Sequence, residues 1–182
     1  MSGPRYRIEP LSSGHDRKDF TCGAEALDRY IRTQAGQDLR RRVATCFVAV
    51  EDGSNAVAGF YTLAATSLVL ADLPEDQSKK LPRYPAIPAI LLGRLAVATA
   101  AKGQGLGAAL LVDAIIRADK SGIGAYALVV DAKDDAANAF YEHFGFMVLP
   151  GATLRLAIPM ATALKVIGPG ARAGGSVGPT AS

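Results

Sequence analysis

The stretch AKGQGLGAALLVDAIIRADKSG, residues 101–122, sets glycines at every second position, Gly103, Gly105 and Gly107, directly before an apolar helical pattern. In that pattern Leu106, Leu110 and Ala114 stack on one side, with Leu111 and Ile115 beside them, the spacing of a helix with one buried face. Glycine weakens a helix interior, so three of them at a helix start mark a place where something comes very close to the backbone. AILLGRLAVA precedes the loop as a strand, and the apolar run AYALVVDA follows the helix, as expected of a buried parallel strand. Residues 89–132 therefore predict a parallel β–loop–α–β unit at the centre of an α/β fold.

The flanking segments fit that class. YRIEPL reads as a first strand. In TCGAEALDRYIRTQAGQDLRRR, Leu27, Tyr30, Ile31 and Ala35 recur at helical spacing, predicting a helix from about Ala24 with Thr21 as its cap. VATCFVAVED and AVAGFYTLAATSLVL are β-rich runs joined by DGSN, a hairpin signal. Residues 71–88 are polar and contain prolines. A structureless loop of that length is unusual, so the segment is expected to be functional or partly helical. DDAANAFYEHFGF predicts a short helix, and GFMVLP and TLRLAIPM the last strands. From Ile167 the chain turns rich in Gly, Pro, Ser and Ala and offers little to bury. The expectation is one folded domain over 1–166 and a disordered tail over 167–182.

Composition excludes several classes. Of 182 residues, 49% are hydrophobic, enough for a real core, but no apolar run reaches the roughly 18 residues of a membrane span. The first ten residues, MSGPRYRIEP, lack the apolar core of a signal peptide. A cytoplasmic chain with no membrane contact is expected. Cys22, Cys46, His15 and His143 are too scattered for a recognisable metal site, so no metal is expected, and both cysteines read as packing residues. The net charge of +3 is modest, yet LRRR at 39–42 and KKLPR at 79–83 are clusters. On charge alone they read as a solvated helix end and a solvated loop.

A strand feeding a glycine loop that opens a helix makes an anion site, because the first N–H groups of the helix lack internal partners and the helix dipole adds positive charge. KGQGLG lacks the Gly-Lys-Ser/Thr ending of a P-loop. It also fits G-x-G-x-x-G poorly, since the third glycine falls on Ala108 and only Asp131 is placed as the later acid. On spacing alone, a phosphate cradle and a tight turn that merely packs the helix stand level.

RLAVATAAKGQGLGAALL followed by FYEHFGF resembles the GNAT acetyltransferase superfamily. Its acyl-CoA loop, Arg/Gln-x-x-Gly-x-Gly/Ala, is matched by Lys102, Gly103, Gln104, Gly105, Leu106 and Gly107, with Lys102 where Arg or Gln is usual. Tyr141 with Gly145 and Phe146 matches a second element, a helix tyrosine followed by Gly-Phe. The family often has an asparagine six residues before that tyrosine. Asp135 stands there and Asn138 one turn later. FTCGAEALDRYI, AGFYTLAATSLVL, LPRYPAIPAILLGRLAV and VDAKDDAANAFYEHFGF resemble one branch, the toxins of toxin–antitoxin pairs that acetylate aminoacyl-tRNA. This likeness runs from about Phe20 to Met160.

The resemblance implies a GNAT acyl-CoA N-acyltransferase fold, a mixed central sheet with flanking helices. It implies acetyl-CoA as co-substrate, held by the loop, by the backbone of Leu95, Ala96 and Val97, and by Asn138. It implies Tyr141 as the general acid for the leaving thiolate, where by residue type alone Tyr141 reads as a half-buried tyrosine bonded to backbone. For a tRNA substrate, Arg40, Arg41, Arg42, Lys79, Lys80 and Arg83 become candidate phosphate contacts, and Tyr84 a stacking surface. Arg94 fits equally a structural ion pair and a contact to the tRNA acceptor end. The branch further implies a cognate ribbon-helix-helix antitoxin and a homodimer. Two other readings stay open: a GNAT enzyme for a small amine or protein N-terminus, and an acyl-CoA sensor without turnover. His143 lies two residues from Tyr141, points elsewhere on a helix, and is expected at the surface.

Overall fold

A computed structural model describes residues 5–151 and 154–174. Seven strands follow the order β1-β2-β3-β4-β5-β7-β6 in one sheet. They are β1 (Tyr6–Pro10), β2 (Thr45–Glu51), β3 (Val57–Val69), β4 (Ala86–Val97), β5 (Ala127–Asp131), β6 (Met147–Val148) and β7 (Arg155–Pro159). Helices α1 (Glu25–Arg29), α2 (Ala35–Arg41), α3 (Glu75–Ser78), α4 (Leu106–Lys120), α5 (Asp135–His143) and α6 (Met160–Gly174) connect or follow them. Contacts divide the chain into two compact units, Met1–Ala65 with Leu91–Ala114, and Thr66–Ile90 with Ile115–Ser182.

In the first unit β1, β2 and β3 form an antiparallel meander. DGSN turns the expected hairpin, with Ser54 N–H bonded to Glu51 C=O at 2.9 Å. A core gathers where the inward faces meet α1 and α2. Phe60 stacks on Tyr30 and takes Phe20 edge-on, with Ile31, Ala35, Val48 and Ala96 buried in the same cluster. The helix expected from Ala24 is broken by a π-turn over Tyr30–Gln34, where Ala35 N–H donates to Tyr30 C=O five residues back. One extra residue per turn keeps Tyr30, Ile31 and Ala35 all on the buried side, where each is at most 3% exposed.

Thr21 does not cap α1, contrary to expectation. Ala24 holds the cap position without a side-chain bond. Asp28 reaches back instead, accepting Cys22 N–H at 2.8 Å and the Thr21 hydroxyl at 3.3 Å. Gly23, at φ 89°, makes the turn that allows this.

In the second unit β5 pairs antiparallel with β7, and the two-residue β6 pairs β7 on its other side. Leu128, Val129, Val130, Leu156 and Ile158 are fully buried. The connection over 71–88 carries the short α3 and a 3₁₀ turn at Leu70–Asp72. Tyr126 N–H bonds Pro88 C=O at 2.8 Å, so β4 and β5 begin side by side, as parallel neighbours joined through a helix do. Beyond Ile167, where a disordered tail is expected, α6 continues to Gly174 with a non-helical break at Gly168. The remainder, 175–182, lies outside the described residues. Among the described residues no helix is long and apolar enough to cross a membrane, and no group of three or more metal-binding side chains is present.

Candidate active site

The glycine loop has the form the sequence suggests. After β4, a 3₁₀ turn over Thr99–Ala101 leads into Lys102, and α4 starts at Leu106. Gly103 and Gly105 have φ of 79° and 78°, a region that L side chains avoid. A Cβ at either would meet nothing within 4 Å. The glycines are thus required by backbone conformation, and the space in front of them is open. Gly105 C=O accepts Ala109 N–H at 3.1 Å, the first bond of α4. The backbone N–H groups of Gly103 through Ala108 have no backbone acceptor among the described residues. A fifteen-residue helix therefore presents its positive end and a row of donors at an open surface.

Two side chains of the loop are tied down. Lys102 Nζ donates to Cys22 C=O at 2.7 Å, beside the turn at Gly23. Gln104 Oε1 accepts the Tyr6 hydroxyl at 2.8 Å. Leu106 is buried, 3% exposed. The lysine that stands where Arg or Gln is usual thus anchors the loop to the segment before α1.

On β4, Ala96 belongs to the buried core, while Leu95 and Val97 are half-buried. Arg94 forms no ion pair among the described residues. Its guanidinium lies 3.7 Å over the centroid of the Tyr30 ring. The structural ion pair allowed by the sequence is replaced by a cation–π contact, and the Tyr30 hydroxyl donates to Asp38 at 2.9 Å.

The second unit carries Tyr141 on α5. Asp134 caps that helix, accepting Ala137 N–H at 2.8 Å. Phe144 N–H, Gly145 N–H and Phe146 N–H close the helix end, and Gly145 has φ 95°. This turn brings Phe146 back edge-on against Tyr141 at 5.4 Å between centroids, while Phe140 packs edge-on at 5.2 Å. Tyr141 is 7% exposed. Its ring is buried, and its hydroxyl bonds to no described residue. Burial pushes the phenol above its ordinary value. Among the described residues no backbone group takes the hydroxyl, unlike the backbone-bonded tyrosine that residue type alone suggests.

Asn138 stands one turn before Tyr141. Its Nδ2 donates to Glu142, and its Oδ1 is buried without a partner. An orphaned buried acceptor is costly and marks a place for an incoming donor. His143 is exposed and packs on Phe144.

The basic residues are at the surface. Arg40, Arg41 and Arg42 are exposed at the end of α2, with Arg42 in the left-handed conformation that closes the helix. Lys79, Lys80 and Arg83 are exposed on the 71–88 connection, where Tyr84 is 61% exposed. Lys79 pairs with Glu75 at 3.1 Å.

Other titratable groups are absorbed by the fold. His15 is buried: Ser12 N–H donates to its Nδ1 at 3.0 Å, so Nε2 carries the proton and donates to Glu9 at 2.7 Å. Cys22 and Cys46 are buried and form no disulfide among the described residues, and burial pushes the Cys46 thiol up to about 12, the inert range. Sequence reasoning missed Tyr6, Cys22 and Tyr30 as partners of loop and strand. Tyr6 lies 98 residues before Gln104, and no local pattern links them.

Comparison with known proteins fits this geometry. Residues 42–148 match the family described as acetyltransferase (GNAT) domain. A tRNA-acetylating toxin of Mycobacterium tuberculosis is 39% identical over 160 residues, covering 87% of this chain and 94% of that protein. The solved structure of AtaT complexed with acetyl-methionyl-tRNAfMet is 30% identical, with a TM-score of 0.80 over 87% of this chain and 96% of that one. A tyrosine-to-phenylalanine mutant of the AtaT toxin, bound to the C-terminus of the antitoxin AtaR and acetyl-CoA, is 26% identical, with a TM-score of 0.72 over 87% and 96%.

Proposed function

The chain belongs to the GNAT acetyltransferases, in the branch of the tRNA-acetylating toxins, and on that premise we propose that it transfers an acetyl group from acetyl-CoA to the α-amino group of aminoacyl-tRNA and so blocks translation. The observation that carries this reading is the open loop at Gly103 and Gly105, whose unpaired N–H groups and helix end suit the pyrophosphate of an acyl-CoA.

Acetyl-CoA supplies an already activated thioester. What the protein must add is position and one proton. The backbone of Lys102 through Gly107 takes the pyrophosphate, and the strand backbone at Leu95, Ala96 and Val97 pairs with the pantetheine arm. Asn138 offers its orphaned Oδ1 to a donor of the bound cofactor. An aminoacyl ester's α-amino group ionises below a lysine, so much of it is neutral near pH 7 and needs no strong base. Tyr141 gives its proton to the departing thiolate. Its raised pKa keeps that proton in place throughout the physiological range.

Arg40, Arg41, Arg42, Lys80 and Arg83 supply phosphate contacts to the tRNA, and Lys79 does so on leaving Glu75. Arg94, held over the Tyr30 ring, faces the acceptor end, and Tyr84 stacks on an unpaired base. The chain works in the cytoplasm, where charged tRNA is. It pairs with an antitoxin of the ribbon-helix-helix class and forms a homodimer. Support for an antitoxin partner comes from the likeness to the AtaT toxin in its antitoxin complex.

Cell-free translation tests the reading. The protein with acetyl-CoA is expected to stop synthesis, and fresh charged tRNA to restore it. Inhibition that persists without acetyl-CoA would overturn the proposal.

A further inference from the structure

Between the Lys102 anchor and the buried Leu106, residues 103–105 of the glycine loop are exposed. Gly103 and Gly105 face open space, and the backbone bond at Lys102 N–H to Thr99 C=O is long, 3.4 Å. Between the two positive-φ glycines sits one residue with a side chain, Gln104. That side chain has one partner among the described residues, the hydroxyl of Tyr6 at 2.8 Å. Tyr6 belongs to β1, outside the span matched by the acetyltransferase family.

An amide is a two-ended group: its oxygen accepts and its nitrogen donates. A phosphate offers acceptors only, so an amide beside it is useful in one orientation and repulsive in the other. Tyr6 donates to Oε1, which leaves both Nε2 hydrogens of Gln104 unused by the described residues. Burial and the Glu51 carboxylate push the Tyr6 phenol above its ordinary value, so it stays a donor across the working pH range.

We propose that Tyr6 is a positioning residue for acyl-CoA: its hydroxyl fixes the Gln104 amide with the NH₂ end free and thereby sets the loop between Gly103 and Gly105 to receive a pyrophosphate. The proposal rests on the acyl-CoA reading of the loop. Tyr6 touches no reacting atom, so its effect falls on co-substrate affinity and leaves the chemical step alone. Gln104 and Tyr6 act as one unit, so their losses are not additive.

Calorimetry with acetyl-CoA on the wild type, Tyr6→Phe, Gln104→Ala and the double variant tests this, alongside steady-state kinetics and melting temperatures. Tyr6→Phe is expected to weaken acetyl-CoA binding and raise its KM by roughly three- to tenfold, the scale of one hydrogen bond, with kcat at saturation unchanged. Gln104→Ala should do the same, and the double variant no more than either. Turnover of S-acetylpantetheine, which lacks the pyrophosphate, should be equal in wild type and Tyr6→Phe. Equal acetyl-CoA affinity in wild type and Tyr6→Phe, or a Tyr6→Phe loss carried wholly by kcat, overturns the positioning role. A wild type that binds no acetyl-CoA overturns the acyl-CoA reading itself, a result separate from either.

Discussion

Arg94 holds its guanidinium 3.7 Å above the ring centroid of Tyr30, and Tyr30 in turn stacks on Phe60 and bonds Asp38. A charge on β4 is thus built into the aromatic core without a carboxylate partner among the described residues. Arg94→Leu should lower the unfolding free energy by about 1 kcal/mol, since a partly desolvated cation–π contact is worth roughly 0.5–2 kcal/mol. Arg94→Lys should recover only part, because an ammonium cannot lie flat on the ring. Denaturant titration of the three proteins measures this. An unchanged midpoint for Arg94→Leu would remove the structural role.

Tyr141→Phe keeps the ring packed against Phe140 and Phe146 and deletes only the hydroxyl. Turnover should fall by roughly 10²–10⁴, the range of general acid catalysis, with acetyl-CoA affinity nearly intact. Full activity in this variant would remove Tyr141 from the mechanism.

The same tyrosine predicts the alkaline limb of the pH profile. Its phenol is raised above the ordinary value of about 10, so the proton it donates stays on until beyond pH ~10. In a pH-rate series, kcat should show no fall between pH 8 and about 10 from Tyr141. The sign for stability agrees: burial favours the neutral form, a contribution complete below pH ~10 and lost as pH rises past it. A falling limb near pH 8 that disappears in Tyr141→Phe would contradict the assignment.

Gly105→Ala separates strain from clash. The new Cβ would meet nothing, but φ of 78° costs an L residue roughly 1–2 kcal/mol. Relief of that strain moves the N–H groups off the anion. Acetyl-CoA affinity should drop about tenfold while the melting temperature falls by only about 3 °C, the shift expected for a loss near 1 kcal/mol in a chain of this length. Unchanged affinity would show that the loop does not bind the co-substrate.

The fold and the site were legible to different depths. Leu106, Leu110, Leu111, Ala114 and Ile115 lie as buried as their spacing implies, because a helix face is a local property. The glycine loop and the Tyr141 turn were equally readable, since each is written in contiguous residues. Thr21 failed as a cap because the chain turns at Gly23 and the helix begins beyond it, with Ala24 at the cap position, while the Thr21 hydroxyl donates to Asp28. The π-turn at Tyr30 was hidden because the core's need for three buried positions adjusts the helix, and spacing cannot report that. Tyr6, Cys22 and Arg94 take partners far along the chain or choose a ring over a carboxylate, and no local pattern carries such choices.

The most direct measurement is acetyl transfer from labelled acetyl-CoA to a pool of charged tRNA, run beside uncharged tRNA and a panel of free amines. Label on charged tRNA alone is the predicted result, and sequencing the labelled species then reads the amino-acid preference. Label on a free amine or a protein N-terminus, with charged tRNA untouched, would contradict the account.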